Sequence, residues 1–219
     1  MIRRDYILRM IEEFFRALSR IAALTRAKQF DLASAAIDEE FQKLLGKGAD
    51  EIRRLSDTEL TARLMEGEPT QAVRDKCLVL ATLLKEAGAL HAAQNRPAES
   101  QACHLKALNL LLGVLLSGET TELPDFVPKV EELMACLADS VLPAATNAAL
   151  MHHYERIGEY AKAEDRLFAM IEAEPGNSAL ARWGIPFYER LLRQSDAALI
   201  SGNLPRIEAE ASLAELRTR

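Results

Sequence analysis

Residues 144–177 read AATNAALMHHYERIGEYAKAEDRLFAMIEAEPGN, and two helices joined at a glycine account for the run. Leu150 and Tyr154 are one helical turn apart, and so are Ala163 and Leu167, so each half carries an apolar stripe at helical spacing. Between the halves Gly158 permits a sharp reversal, and Pro175-Gly176 ends the second. A turn this short makes the two helices antiparallel neighbours. The small Ala163 lets the second helix approach the first closely, and Tyr154 and Leu167 fill the space beside it.

The unit is 34 residues long and resembles a tetratricopeptide repeat. Leu150, Tyr154, Gly158, Tyr160, Ala163, Leu167 and Pro175 match that motif. Asn147 departs from it where a large residue is usual, and Met151 and Met170 where small ones are. Two weaker copies surround Asn95 (Leu84, Gly88, His91, then Ser100, His104, Ala107, Leu108) and Lys28 (Leu24, then Phe30, Ala33, Ile37, Phe41). The turns at 28, 95 and 158 are 67 and 63 residues apart, close to the span of two repeats, which leaves room for a diverged helical pair in each interval.

Outward from this unit, helices are expected over 2–26, 30–45, about 57–66, 70–93, 98–116, 126–140, 144–157, 160–173, 178–200 and 205–219. Gly46 and Gly48 are the candidate left-handed ends of the second. Ser56 and Glu59 form a capping box for the third, which should stop at Gly67 before Pro69. In the fourth, Val73, Cys77, Leu80, Leu84, Ala87 and either Leu90 or His91 should face inward. From Ala107 the fifth is apolar on all sides, as a central helix would be. Gly118–Pro124 reads as a loop, with Asp125 capping the next helix and Pro128 in its first turn. Ser178 should cap the ninth, and Pro186 should kink or split it.

The expected fold is all-α: antiparallel helical hairpins stacked as an irregular, tetratricopeptide-like α-solenoid. It is read as one domain over 1–219, with an N-terminal hairpin (1–47), diverged pairs (48–143), the best repeat (144–177) and capping helices (178–219). The opening Asp5-Tyr6-Ile7-Leu8-Arg9-Met10-Ile11-Glu12, the turn Lys28-Gln29-Phe30-Asp31-Leu32-Ala33 and Lys106-Ala107-Leu108-Asn109-Leu110-Leu111 are similar to an uncharacterised bacterial family of unknown function. That resemblance covers about the first half and implies a helical-repeat fold without an activity.

Composition agrees. Hydrophobic residues make up 49% of the 219, aromatics only 5%, and the net charge is −6. An acidic chain repels a phosphate backbone unless it segregates a basic face. Residues 1–29 hold seven cations against three anions, but the pairs Arg9–Glu13 and Glu12–Arg16 read as a solvated helix face, so no nucleic acid is expected. The longest apolar run, 107–116, is about half the ~20 residues a membrane helix needs. Asp5, Glu12 and Glu13 interrupt what a leader would require to be apolar. Cys77, Cys103 and Cys136 lie apart, as buried reduced thiols of a cytoplasmic protein would.

No catalytic, cofactor or metal constellation emerges. His152 and His153 diverge by about 100° on a helix, and neither Glu-x-x-His nor His-x-x-x-His occurs. Cys103 and His104 diverge likewise, and no glycine-rich phosphate loop is present. The repeat resemblance places Ala145, Ala148, His152, Glu155, Arg156, Thr82, Lys85 and Ala89 on a concave face. Of these Lys85, His152, Glu155 and Arg156 are the candidate binding residues. Trp183, Phe187 and Tyr188 around Pro186 form a candidate aromatic groove, or else close the core. The expected function is a non-catalytic scaffold for a protein or peptide. The alternatives are a regulatory sensor with a ligand pocket near Pro186 and, remotely, a hydrolase. A homodimer through the apolar first helix or an uncapped end stays open beside intramolecular packing.

Overall fold

The computed structural model describes residues 2–65, 70–118 and 123–218, and the side chains of all of these except 2–12, 70 and 71. Among them are twelve helices and no strand: α1 (Ile2–Arg26), α2 (Phe30–Leu45), α3 (Ala49–Arg54), α4 (Asp57–Met65), α5 (Thr70–Ala93), α6 (Pro97–Ser117), α7 (Val130–Cys136), α8 (Ala144–Ile157), α9 (Tyr160–Ala173), α10 (Ser178–Leu191), α11 (Asp196–Ser201) and α12 (Arg206–Thr218). The chain divides into two compact units, Met1–Ser140 and Val141–Arg219. The expected stop at Gly67 and Pro69, most of the 118–124 loop, the helix end at Arg219 and the side chains of the α1 stripe from Tyr6 to Ile11 lie outside the described residues.

In the first unit α1 pairs with α2 and α5 with α6, and α1, α2 and α4 also pack on α5. Every residue from Cys77 to Leu84 is therefore buried. The all-round apolar stretch of α6 fills the same core with Ala107, Leu108, Leu110, Leu111 and Leu112. Lys106 and Asn109 fasten α4 to α6: the Lys106 ammonium reaches the Leu55 carbonyl, and the Asn109 amide donates to Asp57 Oδ2 at 2.7 Å. In the second unit α8 pairs with α9, and α10 lies against α9 and α12. Its core includes Leu150, Tyr154, Ala163, Leu167, Phe187, Tyr188, Leu213 and Leu216.

One turn recurs. Lys28, Asn95 and Gly158 all take left-handed backbone, φ 58°, 58° and 81°. After each, the next amide reaches back five residues: Gln29 to the Leu24 carbonyl, Arg96 to His91 and Glu159 to Tyr154, each at 2.9 Å. This Schellman closure satisfies carbonyls that a helix end leaves orphaned. Gln29, Arg96 and Glu159 then start the following helix with near-identical ψ of 64°, 76° and 66°. Five residues past each turn stands a small buried residue: Ala33, Ser100 and Ala163.

Gly158 and, to a lesser degree, Asn95 suit left-handed backbone intrinsically, whereas Lys28 does not. Gly158→Ala meets no atom within 4 Å, so its cost is conformational alone, about 1 kcal/mol. Lys28→Gly should shift stability by about 1 kcal/mol the other way. Paired urea melts of the two variants check the opposite signs.

Five expectations require correction. The sequence from Ala49 to Arg54 forms α3, and Gly48 precedes it in extended backbone (φ −80°) instead of ending α2. Gly46 alone is left-handed there, at φ 66°. α7 begins at Val130 after Lys129, not at Phe126 after Asp125. Phe126 is held in the turn before it by edge contacts to Phe14 and Phe15, at 5.9 and 5.1 Å between centroids. Asn177, not Ser178, caps α10, its side chain accepting from the Ala179 amide at 3.1 Å. Finally, α10 runs unbroken through Pro186 and the break falls beyond Leu191. Burial of Phe187, Tyr188 and Leu191 on the core side holds the helix together where Pro186 lacks its amide proton.

Candidate functional site

On α8 the side facing solvent carries Ala145, Ala148, His152, Glu155 and Arg156, while Thr146, Asn147, Leu150, Met151, His153 and Tyr154 are buried. Glu155 is only 17% exposed at its side chain because Arg190 of α10 grips it. Arg190 Nε donates to Oε1 at 2.7 Å and Nη2 to Oε2 at 2.8 Å. The two bonds hold the Arg190 guanidinium above its usual pKa. One turn away, His152 Nδ1 stands 4.0 Å from Glu155 Oε2. The His152 ring meets Trp183 of α10 edge-on, with centroids 5.7 Å apart. Trp183, His152, Glu155 and Arg190 thus make a strip across two helices: an aromatic face, an imidazole and a fixed ion pair. Trp183 is 40% exposed, unusual for so large a ring.

The other candidates separate from this strip. Phe187 and Tyr188 are fully buried and meet edge-to-face with centroids 5.0 Å apart, so they belong to the core and line no groove. The Tyr188 hydroxyl donates to Glu164 Oε1 at 2.5 Å. Burial, reinforced by that carboxylate, pushes the phenol far above its usual range. Lys85 lies in the other unit, its ammonium 3.4 Å from Glu86 and 3.9 Å from Glu132. Thr82, mapped to the same face as Lys85, is buried and donates to the Leu78 carbonyl at 2.9 Å. Arg190 was missed by sequence reasoning. Its partner is 35 residues away on a helix that is neither its own nor the next in the chain, and no local spacing announces that pairing.

Two of the three thiols are buried, whereas Cys136, expected to be buried with them, is exposed. Burial pushes Cys77 and Cys103 up to about 11, so both stay protonated at neutral pH. His104 contacts Ser100 Oγ through Nδ1 at 3.3 Å. Among the described residues no group of three His, Cys, Asp or Glu side chains is placed to hold a metal ion. Among them also, no helix is long and apolar enough to cross a membrane.

The chain belongs to a family of unknown function, DUF6483, whose model matches residues 1–219. The match therefore extends beyond the first half, which carried the resemblance in sequence. No curated protein and no solved structure matches the chain.

Proposed function

We propose that this protein is a non-catalytic scaffold, built of tetratricopeptide-like hairpins, that binds a protein or peptide in the cytoplasm. The strip of His152, Glu155, Trp183 and Arg190 is its recognition surface in residues 141–219. The observation that carries the reading is the exposed Trp183 held edge-on by His152 beside an ion pair whose geometry is already fixed. Preorganised aromatic and arginine side chains are the usual anchors of protein interfaces, because little side-chain freedom remains to be lost on binding. The turn shared at Lys28, Asn95 and Gly158, with a small buried residue five positions later, supports the repeat reading. Two buried, protonated thiols suit a reducing compartment.

Trp183 is the single tryptophan, so its emission reports on the surface directly. Peptide-library selection on the intact protein should yield binders that shift that emission. Trp183→Ala combined with His152→Ala should weaken them at least tenfold, a change on the scale of an interface anchor, followed by the anisotropy of a fluorescein-labelled peptide since the variant has no tryptophan. Because both residues are exposed, the melting temperature should hardly move. Glu155 is left intact, since its removal would strand Arg190. Binders retained equally by the double variant would rule this surface out.

A further inference from the structure

His104 of α6 is 3% exposed and sits directly across the helix pair from Gly88 of α5. A Cβ at position 88 would stand 2.6 Å from Nε2, 2.7 Å from Cε1 and 2.8 Å from Cδ2. The imidazole therefore lies against the α5 backbone at a place only glycine leaves open. Nδ1 meets Ser100 Oγ at 3.3 Å, while Nε2 completes no hydrogen bond. We propose that this contact makes the α5–α6 hairpin a proton-operated joint: protonation of His104 opens the two helices locally, without unfolding the unit.

The charges around the ring favour this. On α5 the nearby charge is the Lys85 ammonium, itself engaged by Glu86 and by Glu132 of α7. On α6 itself the neighbour is the uncharged Ser100 hydroxyl. On α4, Asp57 is held by Lys106 and Asn109, and Glu59 by Ser56. Among the described residues no carboxylate pairs with the ring, so an imidazolium there would be a buried charge without a counter-ion.

Burial accordingly lowers the His104 pKa. The Lys85 backbone opposes this through a hydrogen bond, the Lys85 ammonium adds to it, and the Ser100 backbone opposes it least. The sign follows: the closed hairpin disfavours the proton and the open one binds it at an ordinary value near 6.5. Closure is thus at full strength above about 6.5 and weakens as pH falls through the window beneath it. His91, in the last turn of α5, is also lowered, by burial and then by Arg96 and Arg53, and acts with the same sign.

Three cysteines provide the readout. Cys103 adjoins His104 and is buried, Cys77 is buried in the N-terminal half of α5, and Cys136 is exposed. Each is labelled with 4,4′-dithiodipyridine at pH 7.5 and 5.5 and quantified by mass spectrometry, with Cys136 cancelling the reagent's own pH dependence. The Cys103-to-Cys136 rate ratio should rise about tenfold between those values. Cys77 should lag behind it. His104→Gln should abolish the rise, and His91→Gln should leave most of it.

A flat wild-type ratio would overturn the proposal, as would a rise that persists in His104→Gln. So would Cys77 rising in step with Cys103, the mark of whole-unit acid unfolding. The wild-type comparison of Cys103 with Cys77 decides the matter even if His104→Gln does not fold.

Discussion

Gly202→Ala is expected to destabilise residues 141–219 by about 3 kcal/mol, the upper end of what overpacking costs, and to lower their melting temperature by about 10 °C or more. Gly202 follows α11 with φ −82°, a conformation open to any residue, so backbone freedom does not explain the glycine. Space does. A Cβ there would stand 2.5 Å from the Gly158 carbonyl oxygen and 2.9 Å from Tyr160 Cγ. The first of these is backbone, and it belongs to the left-handed turn that closes the α8–α9 hairpin. It cannot move aside without reopening that turn. The Gly202 carbonyl also accepts from the Ala161 amide at 3.0 Å, so the two loops are fastened at the point where they are closest. Gly176→Ala is the control, because a Cβ there meets no atom within 4 Å. Thermal melts followed by circular dichroism would separate the two. Equal melting of both variants would mean that the loop before α12 shifts freely, and that α8–α9 is not anchored through it.

What could be read from sequence followed from how local each cause is. The bounds of α1, α2, α5 and α9 were legible because their ends lie in the chain beside them: Lys28 and Asn95 at left-handed turns, Pro175-Gly176 after α9. The capping box was legible for the same reason. The Ser56 amide donates to Glu59 Oε2 at 2.7 Å, and the Glu59 amide donates back to Ser56 Oγ at 3.2 Å. Helix α3 was not legible, because its N-terminus is capped from a distance. The Ala49 amide donates to Asp38 Oδ1 on α2 at 2.7 Å. Gly48 is small so that this carboxylate can reach: a Cβ at 48 would stand 2.8 Å from the same oxygen. Two closely spaced glycines looked like one helix ending, whereas one ends a helix and the other makes room for a cap. The continuity of α10 through Pro186 was equally hidden, since packing of Phe187, Tyr188 and Leu191 outweighs a local rule. At the candidate site the same division holds. The repeat resemblance placed His152 and Glu155 on an outward, concave face, but the partners that fix them, Trp183 and Arg190, come from α10 and are set by tertiary packing alone.

The second large effect concerns Gly88, and a double-mutant cycle tests it. Gly88→Ala alone should cost about 2–3 kcal/mol, because the ring it would strike is buried and has little room to turn. His104→Ala alone should cost about 2 kcal/mol through the cavity it leaves. If the two residues were independent, the double variant would lose the sum. The contact predicts otherwise: with the ring gone, the methyl at 88 enters the space it vacated and recovers part of the lost packing. The double variant should be no less stable than His104→Ala, a coupling of about 2–3 kcal/mol. Urea unfolding followed at 222 nm measures all four corners, and an additive result would mean that α5 and α6 do not meet at this point. The cycle also explains an inversion between hairpins. In α8–α9 the small residue is Ala163, on the second helix, and the bulky Tyr154 is on the first. In α5–α6 the small residue at the contact is Gly88, on the first helix, and the second supplies the ring. Close approach needs one small partner per crossing, on either helix. The two hairpins can therefore share one turn geometry while exchanging which strand of the sequence carries the bulk.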